Sequence, residues 1–144
     1  VQLRRRPALM AWLRALIFCG GLLYAAAEDI RTREVSDGSA LFIAVAGLVP
    51  FSPATIPVGL LMGLLFYFLA QVGATSSGDP TISMAIGFVL GWRHTCHGLK
   101  LLVAISAVYF AGMFLAARLR HRPSAKTCAV VPLFAAAFIP AYFI

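Results

Sequence analysis

Acidic side chains are nearly missing from this chain: 144 residues hold 5 Asp and Glu against 12 Lys and Arg. Charge of either sign is scarce too, at 12% of positions against 61% hydrophobic, which leaves too little polar surface to keep a soluble domain of this size dispersed. Cysteines number three, Cys19, Cys96 and Cys128, widely spaced and with no CxxC pair, which argues against a zinc ribbon or a disulfide framework. Nor is there a polar segment long enough to present a groove to nucleic acid. The net charge of +7 falls in short basic clusters beside apolar runs, so lipid headgroups and topology control account for it, and no nucleic-acid partner is expected.

What the chain does have is long apolar runs. A bilayer core of about 30 Å takes about 20 apolar residues per helix. The runs predict an all-α membrane protein, a bundle of about six transmembrane helices forming a single domain over 1–144. The predicted spans are 8–27, 39–49, 56–72, 80–92, 99–117 and 125–144. The first run leads straight into a charged turn without a convincing small-residue cleavage site, so it reads as a span and not as a signal peptide. Val1 at the start and Met10 further on leave open a true start at Met10, which would remove the basic flank Arg4, Arg5 and Arg6. Gly59 and Gly63 have the spacing that permits close helix crossing, with loose membrane-helix composition as the alternative. Pro80 suits a first helical turn, and Pro132 and Pro140 are expected inside the last span, where neighbouring helices can satisfy freed carbonyls.

The five acids are concentrated. Glu28, Asp29, Glu34 and Asp37 lie in AEDIRTREVSD, where the first apolar run ends, and Asp79 lies in TSSGDP, again between two apolar runs. Arg31 to Glu34 read as a polar turn, and Ser36 and Asp37 as caps for the second helix. An acid at a membrane edge is costly to place, so Asp29 and Asp79 are functional candidates. Loops alternate sides, and the side holding both aspartates carries Arg31, Arg33, Arg118, Arg120, Arg122 and Lys126 against Arg93 and Lys100 on the other. Excess Lys and Arg mark the cytoplasmic face, and a start at Met10 removes the opposing vote of Arg4 to Arg6. Two carboxylates close together resist ionising at once, so one stays protonated while the other acts as a base. Such a pair can activate water and protonate a scissile carbonyl or leaving amine, which is peptide hydrolysis without metal or cofactor.

An apolar helix ending in Asp29, the basic turn with Arg31, Arg33, Val35 and Asp37, and a second loop with Gly78-Asp79 together resemble the type IV prepilin and preflagellin peptidases. These are membrane aspartyl proteases of the GxGD class, and the resemblance covers nearly the whole chain. It implies a catalytic pair Asp29 and Asp79, with Gly78 supporting the catalytic loop. The implied substrate is a prepilin-like or preflagellin-like precursor, whose basic leader is cut at the cytoplasmic face of the cell membrane. The paired-cysteine region that accompanies N-methylation in bifunctional members has no counterpart here. Ser76 stands where the family has the first Gly of its motif, and Pro80, Thr81 and Ile82 replace the usual continuation. Those departures motivate the rival expectation of a catalytically inactive helical-bundle scaffold or assembly subunit of the same family. A small proton-coupled transporter is a further rival, weakened by the lack of an evident inverted repeat.

The remaining candidates have plainer readings. Glu34 and Asp37 could bind a basic leader, though a solvated turn is the simpler account, and Asp37 could stand in for Asp29 as the first acid. His94, Cys96 and His97 are possible metal ligands, but they fall on the side away from the aspartates and read as an interfacial loop. Phe66, Tyr67, Phe68, Tyr109, Phe110 and Phe114 read as lipid-facing or packing aromatics.

Overall fold

The computed structural model describes residues 5–48, 51–73, 75, 78–121 and 130–144, with side chains from residue 8 onward. They form α1 (Arg5–Thr32), α2 (Asp37–Ala46), a 3-10 turn (Pro53–Thr55), α3 (Ile56–Gln71), α4 (Asp79–Arg120) and α5 (Val131–Phe143). Ala8–Thr32, Pro53–Gln71 and Asp79–Arg120 are long and apolar enough to cross a membrane, and α2 and α5 are shorter. This is an all-helical membrane protein. The described residues hold three helices of spanning length where the sequence predicted six spans.

Much of that difference lies in α4. Its 42 residues would run roughly 63 Å if straight, about twice the hydrocarbon thickness. Gly91, at φ 71° and ψ 179°, breaks it. The arm 79–90 runs antiparallel to α3, because Gly59 lies against Phe88 and Gly63 against Met84. Past the break, His94 bonds the Ala141 carbonyl at 3.0 Å and Gly98 abuts the Phe138 ring, so the arm 92–120 returns along α5. The predicted fourth and fifth spans are thus one helix folded at a single glycine, and the predicted loop 93–100 is helical. That stretch has no strong turn former before Gly98, whereas Gly91 supplies a conformation open only to glycine.

Other boundaries shift for local reasons. The first helix continues past 27 to Thr32, whose hydroxyl bonds the Glu28 carbonyl at 2.9 Å and the Glu34 carbonyl at 2.8 Å. Arg33, at φ 59°, then ends it. Ser36 has the extended backbone of an N-cap, but neither it nor Asp37 acts as the predicted cap: Ser36 makes no side-chain cap bond, and Asp37 is the first helical residue of α2. The last helix begins at Val131, so Pro132 sits in its first turn and only Pro140 is interior. The start of the predicted span at 125 lies outside the described residues, as do Arg4, Ser76, Arg122, Lys126 and Cys128.

Packing follows the small residues. A Cβ on Gly87 would stand 3.0 Å from the Gly59 Cα and from the Val58 carbonyl, and one on Gly59 would stand 2.9 Å from the Met84 carbonyl. Glycine at these positions lets α3 and α4 meet backbone to backbone, the packing role that the spacing of Gly59 suggested. Phe18, Leu22, Ile43, Ile82, Ile86, Phe134 and Phe138 form the fully buried centre between α1, α2, α4 and α5. Phe66 joins them, edge-on to Phe134 at 5.0 Å, while Tyr67, Phe68, Tyr109, Phe110 and Phe114 face outward.

Candidate active site

Asp29 lies in the last turn of α1 and is buried, with 5% of its surface exposed. A carboxylate at a helix C-terminus opposes that helix's own dipole, so it needs donors from elsewhere. It finds one in α5: the Val131 amide, free because it belongs to the first turn, donates to Asp29 Oδ2 at 3.1 Å. Val130, at the N-cap position, has no side-chain oxygen to offer, so Asp29 caps α5 from another helix.

Asp79 opens α4 and is buried almost completely, at 1% exposure. The first-turn amides of α4 and its dipole favour a carboxylate there. Pro80 takes a first-turn position, so this departure from the family's pattern disturbs no helical bond. Ser83, one turn on, is fully buried and donates to the Pro80 carbonyl at 2.9 Å. Gly78 rests against Val35, whose Cβ would be 3.6 Å from an added Gly78 Cβ.

Both aspartates belong to one end of the bundle. Phe66 and Phe134 share a layer, and Gly63 opposite Met84 puts Thr81 near that same layer. Asp79 precedes Thr81 by two residues and Val131, whose amide bonds Asp29, precedes Phe134 by three, so Asp79 and the Val131 amide both stand roughly 3–5 Å beyond the aromatic layer, on the same side of it. The turn 33–36 bridges the two sites: it begins at Arg33, whose amide donates to the Asp29 carbonyl at 3.0 Å, and its Val35 packs on Gly78.

Glu28 holds that turn, a role missed from the sequence alone. Its Oε2 accepts the Ser39 hydroxyl at 2.6 Å, the Ser36 hydroxyl at 3.1 Å and the Ser36 amide at 3.4 Å. The one signal for it in the sequence is the spacing of Ser36 and Ser39 just after an acidic turn, where Ser36 alone of the two hydroxyls reads as a helix cap. Asp37 and Glu34 are exposed on the same end. Asp37 borders an apolar groove of about 360 Å³ between α2, α3 and the arm 79–90. His94 lies at the other end, bonded to Ala141, and among the described residues no set of three or more His, Cys, Asp or Glu side chains is placed to hold a metal.

The fold and these carboxylates define a class: a helical membrane protein with two acids buried at one end of its bundle. A model of the type IV leader peptidase family matches residues 16–117, most of the chain, and the protein belongs to that family. Comparison with curated proteins and with solved structures gives no match.

Proposed function

We propose that the protein is a membrane-embedded aspartyl endopeptidase. It removes the basic leader of prepilin-like or preflagellin-like precursors at the cytoplasmic face, with Asp29 and Asp79 as the catalytic pair and Gly78 shaping the approach to Asp79. The observation that carries this reading is the burial of both carboxylates at one end of the bundle of a type IV leader peptidase family member. Carboxylates buried in a membrane bundle are rare and mark functional sites. In the proposed chemistry one carboxyl keeps its proton and donates it to the leaving amine, while the other takes a proton from the attacking water. The basic leader is contacted locally by Glu34 and Asp37, which are exposed at this end beside Arg31 and Arg33.

The purified protein in lipid should shorten a precursor carrying a basic leader followed by an apolar helix. Asp29→Asn and Asp79→Asn should each abolish the cleavage. Cleavage that survives both substitutions would overturn the assignment.

A further inference from the structure

All five carboxylate side chains, Glu28, Asp29, Glu34, Asp37 and Asp79, lie at one end of the bundle. Arg14 is in α1, fifteen residues before Asp29 and so roughly 22 Å along the helix from it. It sits within the apolar stretch Ala8–Thr32, partly buried, with none of those acids in reach. A guanidinium stays charged at any physiological pH, and a charge held away from water needs compensation.

The chain supplies only part of it. One guanidinium nitrogen donates to the Val89 carbonyl, in the last turn before the Gly91 break. The Nε–H is buried and has no hydrogen-bond partner among the described residues. Beside it is a cavity of about 210 Å³ lined by Arg14, Val89, Leu90, His94 and Tyr142. Its polar lining is made of donors and neutral groups. His94 Nδ1 faces the Ala141 carbonyl, which makes that nitrogen the donor of the bond.

The geometry points to an anion site in this cavity: a phosphate group held by the Arg14 guanidinium, with the Tyr142 hydroxyl as second donor. Phosphate suits a planar guanidinium, which can offer two parallel N–H bonds. The location suits it as well. Trp12 and Trp92 are both outward-facing near this end, at 67% and 63% exposure, and tryptophan favours the headgroup level of a bilayer. The phosphate could belong to a lipid headgroup or be free in solution.

Binding is read as thermal stabilisation of the full chain in maltoside micelles, titrated with phosphatidylglycerol, diacylglycerol or inorganic phosphate. Saturable stabilisation by phosphatidylglycerol and not by diacylglycerol is expected. If inorganic phosphate acts too, the site takes the free anion, and if it does not, the site reads a headgroup. Arg14→Gln should weaken the apparent affinity by about ten-fold or more, and Tyr142→Phe by about three-fold, the usual scale of charged and neutral hydrogen bonds. Arg14→Lys, which keeps the charge, should retain part of the binding. Should Arg14→Gln fail to fold, Arg14→Lys and Tyr142→Phe carry the test. The proposal is overturned if neither phosphate probe stabilises the protein, if diacylglycerol does so equally, or if the variants that fold bind as the native chain does.

Discussion

Asp29 caps α5 and is the proposed first acid of the catalytic pair, two tasks that substitution can tell apart. Asparagine keeps an oxygen able to accept the Val131 amide, so Asp29→Asn should remove proteolysis while leaving the melting temperature close to native. Alanine removes the acceptor as well and leaves a buried amide unpaired, which should cost about 1–3 kcal/mol in addition to activity. Thermal unfolding beside a cleavage assay checks both. Glu28→Ala should leave both aspartates in place but loosen the turn that carries Val35 toward Gly78, so cleavage should fall without being abolished. Complete loss, or none, would remove Glu28 from its positioning role. At this scale the aspartates stood out as candidates because a carboxylate in so apolar a chain is conspicuous. Glu28 was not, because its three donors come from residues eight and eleven positions away and nothing in the local pattern pairs them.

Among the elements, α4 depends most on one residue. Gly91→Ala places a side chain at φ 71° and ψ 179°, a region other residues avoid, and should cost about 1–3 kcal/mol. The nearest obstacle to a Cβ there is Thr55 Cγ2 at 3.4 Å, so the loss would come from backbone strain more than from crowding. Gly87→Val drives a branched side chain into the backbone of α3 and should cost at least about 1–3 kcal/mol by overpacking. Denaturation midpoints in micelles measure both. The apolar runs located the helices well, since hydrophobicity over some twenty residues is a strong signal. They did not reveal the fold at Gly91, because a single glycine beside polar residues looks like the edge of a loop, and charges at Arg93 and Lys100 strengthened that reading. The end of α1 was misplaced for a related reason: Thr32 extends the helix through side-chain bonds that hydropathy does not see.

For the whole molecule, the arrangement predicts opposite exposure of its two ends. In a cysteine-free background, Glu34→Cys should react with a membrane-impermeant thiol reagent from the cytoplasmic side and Arg93→Cys from the other. Labelling of both from one side would refute this layout of the bundle and the cytoplasmic placement of the proposed catalytic pair. The excess of basic residues was enough to suggest an orientation. The alternation of loops also put both acids on one side; the contacts that set their depth there, Phe66 with Phe134 and Gly63 with Met84, join distant helices and were not readable.

The sharp bend at Gly91 also bears on how the protein is made. With no extended hydrophilic connector between its two arms, α4 presents the insertion machinery with a nearly continuous greasy hairpin. Two spans can then enter the bilayer together, and few polar groups beyond Arg93, His94, His97 and Lys100 have to be carried to the far side.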